Sequence, residues 1–336
     1  MTHNQVVVIT GASAGIGRAL VRRFARPGVH LALLARGEQG LLAAHAEALR
    51  AGAQAITIPI DVAVAEHVVR AAEQVIQTWG KIDVWINNAM VTVFSPVTDL
   101  QADEFDRVTQ VTYHGAVWGT MAALKHMSAR NSGTIVQVGS ALAHRSIPLQ
   151  SAYCGAKHAL RGFTDALRSE LLHDRSKVRV TMIQLSAFNT PQFSWARNKL
   201  GHHPQPVAPI FQPELAADAI YDAAMHPRRE MWVGFPAVKA ILGNRLIPGF
   251  LDRYLAGRAY DGQVTKEKTR PLNRDNLFHA VEGDFGARGV FTSDAARDSL
   301  QIWANLHRKT WMATLVAFLA ILVVGKLRHR PSRLIR

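Results

Sequence analysis

Six short runs rich in Val, Ile and Leu alternate with stretches whose apolar residues recur at helical spacing. The runs are QVVVIT, VHLALLA, QAITIPI, IDVWINN, GTIVQVGS and VRVTMIQL; between them lie segments such as GIGRALVRRFAR, GEQGLLAAHAEALRAG and AAEQVIQTWG. A strand that is apolar at nearly every position, not at every second one, must be covered on both faces of its sheet. Regular alternation with helices then implies right-handed β-α-β crossovers. The expected fold class is therefore α/β, a doubly wound parallel sheet of Rossmann type. REMWVG supplies a seventh strand after TPQFSWARNKLGHHPQPVAPIFQP, whose prolines argue for a loop.

The 336 residues, 48% hydrophobic and 19% charged, suffice for one large folded domain. Three segments are expected: a catalytic body over 1–260, a polar Gly-, Asn- and Asp-rich extension over 261–300 folded over the body or partly mobile, and a tail over 301–336. The single cysteine, Cys154, excludes an internal disulfide framework and a cysteine zinc site, and His202 and His203 have no partner at metal-ligand spacing. No metal is expected. Of the formal charge of +14, seven charges come from Arg308, Lys309, Lys326, Arg328, Arg330, Arg333 and Arg336, in a tail without Asp or Glu. The basicity therefore belongs half to the tail, and with no nucleic-acid motif beside it, nucleic-acid binding is not expected. The opening MTHNQVVVITG has too short an apolar run for a cleavable secretory signal, so a cytoplasmic body is expected.

The glycine-rich TGASAGIG, Thr10 to Gly17, lies between the first strand and the first helix. Such a turn lets backbone approach a pyrophosphate and aims the free N–H groups of the helix at its negative charge. Gly11, Ser13, Gly15, Ile16 and Gly17 are thus candidates for holding a dinucleotide. At the end of the second strand an acidic residue would take a ribose 2′-hydroxyl, and an arginine a 2′-phosphate. Ala35 and Arg36 stand there, which favours NADP(H) over NAD(H); the alternative is a solvated Arg36 with Glu38 on an NAD ribose.

Tyr153 and Lys157 lie four residues apart in SAYCGAKHALRGFTDALRSEL, on one face of a helix. Moving a phenol from pKa ~10 toward ~7 takes about 4 kcal/mol, which an ammonium ~4 Å away at an effective dielectric of ~20 can contribute. Tyr153 then becomes a proton shuttle. A surface Tyr–Lys pair, and a Ser140 that merely caps a strand end, are the plainer alternatives.

Taken together, TGASAGIG, NNAM (Asn87 to Met90), the pair Gly139–Ser140 and YCGAK thirteen residues beyond Ser140 resemble the short-chain dehydrogenase/reductase family over roughly residues 5–235. The resemblance implies interconversion of a carbonyl and an alcohol by hydride transfer. In it Tyr153 is the general acid/base, Lys157 also binds the nicotinamide ribose, Ser140 bonds the substrate oxygen, and Asp61, Asn88 and Thr190 join the cofactor contacts. It also implies a homo-oligomer. Three positions depart from the family pattern. Thr112 stands where an asparagine usually supports a water relay, Met90 replaces the glycine of NNAG, and Ser186–Ala187 replace a Pro-Gly pair. These departures motivate an alternative, a catalytically weak NADPH-binding sensor or scaffold at a membrane.

The membrane enters through the tail. Thr310 to Gly325 is sixteen residues without a charge, flanked by basic residues. At ~1.5 Å per residue it reaches about 24 Å, short of a ~30 Å hydrocarbon layer. Membrane association is expected, with full spanning left open, and with it a lipophilic substrate.

Overall fold

In a computed structural model, the protein is described over residues 4–268, 275–308, 310–312 and 314. Seven parallel strands form the central sheet: β1 Gln5–Thr10, β2 Val29–Ala35, β3 Gln54–Pro59, β4 Val84–Asn87, β5 Thr134–Ser140, β6 Arg179–Leu185 and β7 Glu230–Val233. Their spatial order is β7-β6-β5-β4-β1-β2-β3. The sheet is built outward from β1 in both directions, so the direction of winding reverses between β1 and β4. A doubly wound sheet opens a crevice at that switch point, beyond the carboxyl ends of the strands.

The helices are α1 Gly15–Phe24, α2 Glu38–Arg50, α3 Ala65–Trp79, α4 Ala102–Thr109, α5 Gly115–Arg130, α6 Ser151–His173, α7 Pro213–Met225, α8 Phe235–Leu246, α9 Pro248–Arg258 and α10 Leu300–Leu306. Because successive strand residues face opposite sides, β1 divides between two cores. Val7 and Ile9 join Leu20 and Phe24 of α1, Leu41 of α2 and Ile220 of α7. Val6 and Val8 join Val68 and Val75 of α3, Met127 of α5 and Leu167 of α6. Both faces are covered, as the uninterrupted apolar runs require.

The proline-bearing loop after β6 is more ordered than its composition suggests. Ala187–Phe188 and Ile210–Phe211 pair in parallel, and Ala295–Ala296 of the extension adds a third strand. His202–Pro204 pairs antiparallel with Val264–Lys268, and Arg197–Asn198 pairs with Val93–Phe94. Prolines are tolerated at such short edge pairings, where a missing N–H costs no ladder bond. The extension joins the same cores: Leu277 is wholly buried in one, Ala287 and Ile302 in the other. Most of the uncharged run Thr310–Gly325 lies outside the described residues. Among the described residues no helix is long and apolar enough to cross a membrane, so the spanning left open above has no support among them.

Candidate active site

The glycine turn is shaped by close approach. Gly11 and Gly15 have positive φ of 68° and 59°, a region that costs other residues. At Gly17 a Cβ would lie 1.9 Å from the Gly11 carbonyl oxygen, so only hydrogen lets α1 start this near the strand. Asn88 fastens β4 to the turn: its Nδ2 donates to the carbonyls of Thr10 (2.9 Å) and Gly11 (3.3 Å). The Thr10 hydroxyl accepts the Asn88 and Ala89 N–H groups and donates to the Ile86 carbonyl. The turn is therefore rigid before anything binds it.

A cavity of about 200 Å³ opens beside it, at the switch point. Gly11, Ser13, Gly15, Ile16, Arg36, Asp61, Asn88 and Thr190 all line this cavity, gathered from five separate stretches of chain. Gly17 stands behind the lining, where its role is to admit the Gly11 carbonyl. Arg36 is not a solvated loop residue: its Nη1 donates to the Leu277 carbonyl at 3.2 Å and its Nη2 to the Asn276 carbonyl. Glu38, the other candidate at this position, is exposed at the start of α2. Asp61 is engaged as well, pairing with Arg107 and accepting the Ala63 N–H at 3.0 Å.

Ser140, Tyr153 and Lys157 form a second group at the end of β5 and the start of α6, outside the lining of that cavity. The Ser140 hydroxyl oxygen accepts the Leu142 N–H at 3.1 Å, so it does cap the short turn that follows, and it also hydrogen-bonds Tyr153. Tyr153 and Lys157 are no surface pair. The lysine is 3% exposed, and its Nζ donates to the Val138 carbonyl at 2.7 Å and lies 5.6 Å from the centre of the tyrosine ring.

The electrostatics correct one expectation. Burial pushes the Tyr153 phenol above its ordinary range, and the hydrogen bond from Ser140 only partly offsets it. Lys157, turned to the Val138 carbonyl, does not by itself acidify the phenol as its spacing suggested. Burial instead lowers the lysine to about 8. The charged form of each group is penalised by desolvation before any partner charge arrives.

Thr112 sits in a π-helical turn, Gln110–His114, between α4 and α5. Its hydroxyl accepts the Val91 N–H (3.1 Å) and donates to the Val91 carbonyl (3.0 Å), and the residue is 1% exposed. The hydroxyl is committed to backbone, and Met90 beside it lines the cavity.

Residue-by-residue reading missed two participants. Arg18, 1% exposed, binds Glu47 at 2.8 Å and Asp284 at 3.0 Å. The other is the extension, whose Asn276, Ala280 and Val281 line the cavity and whose Gly286 carbonyl accepts the Gly15 N–H at 3.0 Å. A charged residue in the first turn of a helix that otherwise packs inward signals the first. No local pattern signals the second.

Comparison with known proteins agrees with this geometry. The family model described as short chain dehydrogenase matches residues 5–200. An uncharacterized oxidoreductase, YxnA of Bacillus subtilis, is 36% identical over 279 residues, covering 82% of this chain and 78% of its own. The putative oxidoreductase SadH of Mycobacterium tuberculosis is 33% identical over 261 residues, covering 76% of this chain and 95% of its own. Among solved structures, an alcohol dehydrogenase from the archaeon Thermococcus sibiricus, complexed with 5-hydroxy-NADP, superposes with a TM-score of 0.60 at 26% identity. That match covers 68% of this chain and 95% of that one.

Proposed function

Because this chain belongs to the short-chain dehydrogenase/reductase family and is an oxidoreductase acting on CH–OH or C=O groups, we propose that it reduces a carbonyl with NADPH, Tyr153 delivering the proton. The observation that carries this reading is the geometry of the trio. Ser140 hydrogen-bonds Tyr153, and the buried Lys157 places its Nζ 5.6 Å from the centre of the tyrosine ring. A hydroxyl, a phenol and an amine so gathered can hold a substrate oxygen and pass it a proton.

The residues present fit a dinucleotide. The turn allows backbone approach that any Cβ at Gly17 would block, and the cavity extends from the turn to Arg36. Gly11, Ser13, Gly15 and Ile16 would hold the pyrophosphate arm, Arg36 a 2′-phosphate, Asp61 and Asn88 the adenosine side, and Thr190 with Lys157 the nicotinamide end. When bound, the nicotinamide supplies or takes the hydride. Ser140 would hydrogen-bond the substrate oxygen, Tyr153 would hand its proton to that oxygen, and Lys157 would stabilise the phenolate left behind. The Ser140 hydroxyl opposes the desolvation that raises the phenol.

A lipophilic substrate belongs to this reading, supported by the apolar, basic-flanked tail that would bring the protein to a bilayer. So does membrane association through residues 301–336, supported by the uncharged run and its basic flanks, and assembly as a homo-oligomer. Residues 1–260 would be the catalytic body, with 261–300 completing it. The test is Tyr153→Phe assayed against a panel of hydrophobic ketones and aldehydes with NADPH. Turnover should fall about 10²- to 10⁴-fold with cofactor binding retained; undiminished turnover on every substrate would refute the assignment.

A further inference from the structure

Arg36 is a partly buried cation that forms no ion pair with a carboxylate among the described residues. Among the described residues its hydrogen-bond partners are two main-chain carbonyls, and Asp61 and Asp275 act on it only at longer range. Both carbonyls belong to the extension, some 240 residues away. The Leu277 carbonyl serves twice, accepting from Arg36 and, at 3.0 Å, from Nε of Arg107, the residue that pairs with Asp61. The Leu277 side chain is wholly buried, in the core that includes Val68 of α3 and Val108 of α4. Leu277 is thus a peg whose backbone oxygen holds two arginines at one end of the cavity.

The rest of the segment is fastened over the phosphate turn. Asp284 binds Arg18 of α1, the Gly286 carbonyl accepts the Gly15 N–H, and Asn189 takes the Phe291 N–H on its side-chain oxygen at 3.0 Å. The strap does not fill the cleft. The cavity remains between it and the glycine turn, with Arg36 in its wall. Two carbonyl bonds use two of five guanidinium donors, leave the charge uncompensated and fix the plane of the fork.

We propose that the strap of residues 275–291 is a positioning element of the cofactor site, in which the Asn276 and Leu277 carbonyls hold Arg36 in the orientation that receives a 2′-phosphate. The inference rests on the NADP(H) reading above and adds what makes Arg36 selective. An arginine at the end of a strand has four free torsions, and its preference for phosphate over hydroxyl depends on how much freedom it must lose on binding. Here the strap removes that freedom in advance. The strap lies outside residues 5–200, the part that the family model matches.

Calorimetric titration of the full-length protein with 2′,5′-ADP and with 5′-AMP tests this without turnover. The preference for the 2′-phosphate is the ratio of the two affinities. It should fall about tenfold in Leu277→Ala and about threefold in Asp284→Ala, and return close to the wild-type value in Leu277→Ile. A wild-type preference in folded Leu277→Ala overturns the proposal, as does a rise in 2′,5′-ADP affinity, which would make the strap a competitor instead. Should Leu277→Ala fail to fold, Asp284→Ala decides alone, an unchanged ratio overturning the proposal. Arg36→Ala separates the two levels. If it abolishes the preference while the strap variants do not, only the strap's role falls. If Arg36→Ala itself changes nothing, the phosphate reading falls with it.

Discussion

One turn of α6 separates Tyr153 from Lys157, and their shared burial decides how each holds its proton. The lysine's folded pKa, about 8, lies below its ordinary 10.5. Between those values the unfolded chain binds more protons than the native one, so this residue makes stability rise with pH from about 8 to 10.5. In Lys157→Met that rise should be absent, and the stability difference between variant and wild type should change across the same window in chemical denaturation. A flat difference would mean that the amine is solvated. The side chains proposed to carry the chemistry were legible as a group because their residue types and spacing are local. Their proton affinities were not, because desolvation depends on everything packed around them. The i, i+4 spacing placed the amine on the right face, but the carbonyl of Val138 decided where its nitrogen went.

At the scale of elements, β7 shows how an edge strand is held. Glu230 accepts from Gln184 of β6 (2.7 Å), Trp232 (2.9 Å) and His144 after β5 (3.1 Å). Burial alone would raise its pKa, but the hydrogen bonds from His144, Gln184 and Trp232 outweigh it and bring it to about 2. A depressed carboxylate contributes stability that is complete above its unfolded pKa and is lost as pH falls from about 4.5 toward 2. Glu230→Ala should cost about 1–3 kcal/mol at neutral pH and flatten that acid limb, which urea titrations at a series of pH values would reveal. The five inner strands were readable in advance because burial on both faces forces a continuous apolar run, and the two edge strands by their place in the alternation with helices. The small pairings in the loop after β6 were not: two or three residues carry no periodicity, and their partners lie up to about a hundred positions away.

Considered as a whole molecule, the chain closes on itself through its polar extension. Ile302 is 1% exposed and lies in the same core as Val7, Ile9 and Phe24. Ile302→Ala should therefore lower global stability by about 3 kcal/mol in a single cooperative transition; loss confined to a separate, local transition would show that this segment is an appendage. The sequence by itself determined the parallel doubly wound sheet, the glycine-rich turn and the grouping of Ser140, Tyr153 and Lys157, because each rests on a local pattern: strand burial, glycine geometry, helical spacing. Only the tertiary structure decided that Arg36 and Arg107 share the Leu277 carbonyl, that Arg18 anchors Asp284, and that the extension roofs the cleft. Backbone carbonyls look alike in any sequence, and which of them a distant guanidinium will meet is fixed only when the chain has packed.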